Sequence, residues 1–219
     1  MTLIGCSGFP VPATKYLKEF DGVELADTHL GVPGPALVRR WRREAPAGFR
    51  FTAVAPKELL SDGLKPSAAS ESAWQSFLPI ARELAAERVV LPSPPEATDS
   101  KAWRSAFGQL FARLAQSDPS LEFVWDPPPS WSLKDADAAV KDLKVTVARD
   151  PLRHPPVSRG SLAYYRLAGP AGHKSRYEDQ ALEAAAEAIR ATRADAVWVI
   201  FTNVDMYADA RRLAKLLGA

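Results

Sequence analysis

The sequence predicts an α/β protein built as a compact (β/α)8 barrel, one domain over residues 1–219, and three observations carry that prediction. Eight short apolar runs recur along the chain, and most are separated by segments with the three- and four-residue apolar spacing of amphipathic helices. Strict alternation of this kind makes successive strands parallel, and eight units close a sheet on itself. The turn after the first run reads GCSGFP, which lacks the GxGxxG spacing that a dinucleotide site on an open, doubly wound sheet requires. A barrel of this type usually takes roughly 250 residues, so a chain of 219 residues needs some helices trimmed.

The elements follow in order. Thr2–Cys6 is the first strand, closed by Ser7 and Gly8, with a helix over Ala13–Phe20. Gly22–Ala26 is the second, followed by the loop DTHLGVPG and a helix from Pro35 to Glu44, where proline suits the first turn. Gly48–Ala55 is the third strand, stopped by Pro56. A helix over Glu71–Ala86 carries Trp74, Phe77, Leu78 and Leu84 as its apolar stripe. Glu87–Leu91 is the fourth strand, and the helix over Ser100–Gln116 presents Trp103, Phe107, Leu110, Phe111 and Leu114. Leu121–Trp125 is the fifth strand, with a weak helix around Leu133–Leu143. Lys144–Ala148 is the sixth, and its helix is reduced to the proline-broken loop RDPLRHPPVSRG. Ser161–Gly169 is the seventh strand, followed by a helix over Glu178–Thr192; Ala196–Thr202 is the eighth, followed by a helix over Met206–Leu217.

Composition narrows the function classes. The chain has 28 Lys and Arg against 26 Asp and Glu, a net charge of +2, so a dedicated nucleic-acid coat or polybasic membrane binder is not favoured. One cysteine, Cys6, forms no internal disulfide and suits a reducing compartment. No apolar run approaches the roughly 20 residues that span a bilayer. The opening residues lack a charged n-region and long h-region, so a cytoplasmic location is expected.

Strand seven focuses the chemistry. Its alternation puts Tyr164, Arg166 and Ala168 on one side and Tyr165 and Leu167 on the other. A guanidinium on a buried face needs a carboxylate or an anionic ligand. Glu24 and Glu122 are the strand carboxylates that alternation also turns inward, with Thr52, and they make two readings available. One is a buried ion cluster that fills the barrel; the other is a ligand site, with Glu24, Glu122 and Asp150 as acid/base candidates. The next loop, GPAGHKSRY, combines two glycines with Lys174, Ser175, Arg176 and Tyr177. Loops after strands seven and eight of such barrels often hold phosphate, and Arg149, Arg153, His154 and Arg159 add basic groups from the preceding loop. His29, His154 and His173 all fall in expected loops without metal-ligand spacing, so neither metal nor cofactor is expected. Cys6 reads as a buried thiol. Trp125 and Trp131 read as lining the barrel mouth.

Several fragments in order, IGCSGF, VELADT, Trp41 with APAGFRF, VVLP, LEF, YYRLAG and IFTN, resemble the YecE-like family, the domain of unknown function numbered seventy-two. They run from Ile4 to Asn203. The resemblance implies a barrel, and it adds Thr28 and Asn203 to Glu24, Glu122, Asp150 and Arg166 as positions that match the family. Elsewhere this chain has Val54, Val90, Val124, Trp125, Ala168 and Ala26 where the family carries polar residues, a partly degenerate centre. The expected function is a barrel-mouth pocket for a small anionic, phosphate-bearing ligand or a nucleic-acid end, held by Arg166, Thr28, Lys174, Arg176, Tyr177 and Asn203, with hydrolase-type chemistry if there is catalysis. The rivals are a binding or assembly module without catalysis, then a metal-dependent phosphodiesterase.

Overall fold

The computed structural model describes residues 1–218, and all eight expected strands are present: β1 (Thr2–Cys6), β2 (Gly22–Leu25), β3 (Arg50–Val54), β4 (Arg88–Pro92), β5 (Glu122–Asp126), β6 (Val145–Val147), β7 (Gly160–Leu167) and β8 (Ala194–Phe201). Helices alternate with them: α1 (Ala13–Tyr16), α2 (Asp27–Leu30), α3 (Pro35–Glu44), α4 (Ala68–Glu83), α5 (Lys101–Ser117), α6 (Leu133–Ala139), α7 (Asp179–Ala191) and α8 (Met206–Leu217). The fold is α/β of the (β/α)8 type. The bare loop between β6 and β7 is the trimming expected, whereas α1, expected over Ala13–Phe20, is a single turn that ends at Tyr16. Two 3-10 turns, Lys57–Leu60 and Asp62–Leu64, follow β3, and the short α2 occupies the expected DTHLGVPG loop. Helix α4 starts three residues before the expected Glu71. Ser67 accepts from the Ser70 amide while the Ser70 hydroxyl accepts from the Ser67 amide, a reciprocal cap that satisfies two helix-end donors.

By their internal contacts the residues divide into two units. One comprises Met1–Glu24, Pro46–Arg50 and the chain from Ala148 onward. Its parallel sheet runs β1–β8–β7. Register puts Leu3, Trp198 and Tyr164 in one row and Gly5, Ile200 and Arg166 in the next. The Tyr164 ring stacks on Trp198 at 5.9 Å and 13°, so a flat aromatic shelf lies one step below Arg166. Gly5 is required where it stands: a Cβ there would lie 2.5 Å from the Gly22 carbonyl oxygen. Beside it the Tyr16 hydroxyl accepts from the Cys6 amide and donates to that same carbonyl.

The other unit comprises Leu25–Ala45 and Phe51–Val147, and its strands belong to the sheet of order β2–β3–β4–β5–β6. Thr52, Arg88 and Glu122 align in a row, the last two at the starts of their strands; Val54, Val90 and Val124 form the next, buried, row. The opposite face of β5 carries Phe123 and Trp125 against Phe107 and Phe111 of α5.

Candidate functional site

Arg166 lies on β7, which is held beside Arg149 by the bonds Arg149 N to Tyr164 O and Arg166 N to Arg149 O, both 2.9 Å. Alternation puts Tyr164 and Arg166 on one face, as expected. Both reach Glu24 near the C-terminal end of β2: Arg166 Nη2 donates to Oε1 at 2.8 Å and the Tyr164 hydroxyl to Oε2 at 2.9 Å. Ser7, just past β1 and bridged to Glu24, donates from Oγ to Oε1 at 2.9 Å. Glu24 is fully buried, and three donors satisfy it as a carboxylate. The Arg166 side chain keeps 15% of its surface exposed. A guanidinium has five N–H donors in a fixed fork, so this one is pinned by a carboxylate and still faces solvent. The strand row above β7 and β8 continues into Thr202 and Ala168, so the cluster occupies the strand ends where barrels of this type place their sites.

The loop after β7 is clamped at every turn. Gly169 adopts φ +94°, and a Cβ there would meet the Gly172 carbonyl at 2.3 Å and Ser175 Oγ at 2.7 Å, so only glycine fits. Ser175 Oγ accepts from Ala171 N and donates to Gly172 O. The buried Tyr177 hydroxyl accepts from Gly169 N at 2.8 Å, and burial pushes its pKa up to about 12 against the lowering effect of that bond. Asn203 Nδ2 donates to Ser175 O and to Asp209 Oδ2. Val204 N donates to His173 O at 2.7 Å. Lys174 and Arg176 are left exposed on this rigid frame.

Not every expected residue joins the cluster. Glu122 has the inward parity expected of it but stands at the N-terminal start of β5, with its side chain 56% exposed and paired with Arg88 Nε at 2.9 Å. It sits at the strand end away from any barrel-mouth chemistry. Thr28 is buried, and its hydroxyl lies 2.8 Å from Leu25 O and 2.7 Å from Val54 O, which makes it a staple between strand ends rather than a ligand donor. Asp150 accepts from Leu152 N on Oδ1 and pairs with Arg153 through Oδ2. Tyr177 and Asn203 brace the loop from within. Trp125 and Trp131 do not line the mouth. They meet edge to face at 5.0 Å in the core beneath α5, because odd-numbered positions of β5 face the helix layer. His29 lies in α2 rather than in a loop. Among the described residues no three His, Cys, Asp or Glu side chains group as a metal centre, and no helix is long and apolar enough to cross a membrane.

Sequence reasoning left Ser7 and Tyr164 out of the site. Tyr164 carried a signal, since it lies two residues from Arg166 on one face; Ser7 carried only its place at a strand end. A cavity of about 530 Å³, lined by Leu17, Phe20, Asp21, Pro46 and Phe49 among others, opens at the N-terminal ends of the strands in the same unit. It therefore opens at the strand ends opposite to those that carry Glu24 and Arg166.

Comparisons with known proteins agree with this fold. The family model described as "Protein of unknown function DUF72" matches residues 13–219. No curated protein matches. Among solved structures, a DUF72 family protein from Enterococcus faecalis superposes with a TM-score of 0.81 at 15% identity, over 100% of this chain and 96% of that chain. One from Thermotoga maritima gives 0.75 at 18%, over 100% of both chains. A xylose isomerase domain containing protein from Salmonella typhimurium gives 0.65 at 14%, over 100% of this chain and 97% of that chain.

Proposed function

The chain belongs to the DUF72 family, and on that premise we propose that it binds a small phosphate-bearing anion at the C-terminal end of β7. One observation carries the reading: Arg166 is oriented by the buried Glu24 yet remains partly exposed beside a rigid loop that offers Lys174 and Arg176. A guanidinium oriented by a buried carboxylate is held in a set direction, and its planar geometry suits bidentate recognition of phosphate oxygens. The loop's cations add attraction that salt screens.

We read the site as one that binds rather than hydrolyses. Glu24 is locked by three donors, Asp150 is engaged on both oxygens, and Glu122 opens its strand at the far end. The valine row Val54, Val90 and Val124 is buried and apolar, which favours a family member without acid/base machinery. Calorimetric titration with inorganic phosphate at low salt tests the reading. Arg166→Ala should weaken binding by about tenfold or more, and Arg166→Lys should restore only part of it, because an ammonium keeps the charge but loses the fork. Equal phosphate affinity in the parent and Arg166→Ala would overturn it.

A further inference from the structure

We propose that the loop between α2 and α3, together with the outward face of α3, docks this protein peripherally on an anionic lipid surface. Among the described residues six large hydrophobic side chains are exposed, and three of them, Leu30 at 76%, Val32 at 40% and Leu37 at 41%, fall within eight residues. Single exposed hydrophobics are ordinary, whereas a cluster marks a contact surface. The segment that carries these three reads LGVPGPAL. A Cβ added at Gly31 or Gly34 would meet no atom within 4 Å, so the backbone there stands clear of the body. The tip thus offers apolar side chains on a projecting turn, with Pro33 and Pro35 limiting its freedom.

The charge beside that tip selects the partner. From Leu30 to Arg43 the chain has four arginines and no acidic residue, a concentration that the overall charge of +2 conceals. Val38 and Trp41 bury one face of α3, and Arg39, Arg40 and Arg43 are exposed on the other. Arg40 is paired with Glu44 at 2.8 Å, and Arg42 lies over the Phe51 ring. Arg39 and Arg43 enter no ion pair among the described residues. They stand four apart, about 6 Å along the axis, where like charges repel and an anionic surface relieves the repulsion. Each arginine near such a surface strengthens binding about fivefold. A nucleic acid supplies the same charge but offers Leu30 and Val32 no hydrocarbon. A bilayer supplies both, phosphate at the headgroups for the long arginine side chains and acyl chains just below for the tip. Docking of this kind lies on the bilayer and needs no spanning helix, and none among the described residues is long and apolar enough to be one.

Flotation with unilamellar vesicles at low salt is the test, with phosphatidylcholine alone set against equal parts of phosphatidylcholine and phosphatidylserine. The parent should float with the anionic vesicles, stay behind with the neutral ones, and be released by added salt. Arg39→Ala with Arg43→Ala should weaken binding about tenfold or more, and Leu30→Ser with Val32→Ser should weaken it about tenfold. Lys134→Ala with Lys141→Ala removes two exposed lysines elsewhere and should bind as the parent does. Circular dichroism checks that each variant is folded. A parent that ignores anionic vesicles sinks the proposal. So does unchanged binding in either the arginine or the serine variant, or an equal loss in the lysine variant. A fluorescent DNA duplex probes the other polyanion: duplex binding that needs Arg39 and Arg43, ignores the serine substitutions and occurs without vesicle binding assigns the face to nucleic acid and overturns the lipid reading.

Discussion

Cys6 shows how one residue's surroundings decide its chemistry. It is fully buried at the end of β1, and desolvation, outweighing the lowering effect of its contact with Tyr16, pushes the thiol from 9.0 up to about 12. The nucleophile is the thiolate, so a rise of this size cuts the reactive fraction about a thousandfold at mildly alkaline pH. Folded protein should leave Cys6 unmodified by a chromogenic disulfide reagent over hours, with one thiol released on adding denaturant. Rapid labelling of the folded protein would contradict the burial. Glu24 and Glu122 give the complementary lesson. Alternation assigns both an inward parity, and that much was legible in the sequence. Parity says nothing of height along the strand, and height separates the fully buried carboxylate beside Arg166 from an exposed one at a strand start. Thr28 fails as a ligand donor for another reason: two backbone carbonyls in reach of its hydroxyl come from segments far apart in sequence.

At the scale of elements, α4 and α5 are clipped together beyond their apolar stripes. Trp74 Nε1 donates to Ser117 Oγ at 2.8 Å, and Arg82 of α4 donates to Asp118 Oδ2 from Nε and Nη2. Asp118 also accepts from Ser120 N and Oγ at the entry to β5. The Ser120 hydroxyl first, then Arg82, hold its carboxyl below the usual 3.8. The folded-state pKa is depressed, so the stabilisation is complete above the unfolded value and is lost as pH falls through the folded one. Asp118→Asn should therefore cost about 1–2 kcal/mol at neutral pH, measured by urea unfolding. The gap from the parent should narrow as the pH drops below about 4. A gap that is constant with pH would mean the charge plays no part. The apolar periodicity of both helices was readable, but their starts were less so. The start of α4 depends on Ser67 and Ser70 capping one another, and a Ser–Ser cap is a weaker sequence signal than the Ser–Glu form.

For the whole molecule, the eightfold alternation of strand and helix was the most legible feature, because every unit repeats the same periodicities and each repetition reinforces the assignment. The division of labour between inner rows was not legible: a lone arginine among apolar strands reads equally as core ballast or as a ligand anchor. Global stability and binding, measured together, separate these. Glu24→Ala takes from Arg166 the buried carboxylate that neutralises it, and removing one partner of such a pair typically costs about 3–5 kcal/mol. Replacing both by methionine, similar in length and uncharged, removes both charges of this pair and should recover much of that loss in urea unfolding. A structural pair would end there, with any phosphate affinity unaffected. A ligand site behaves differently: the double variant Glu24→Met with Arg166→Met should be nearly as stable as the parent and should bind phosphate no better than Arg166→Ala does. A double variant that is stable and still binds phosphate as tightly as the parent would return Arg166 to the core and leave the loop's exposed cations as the only attraction.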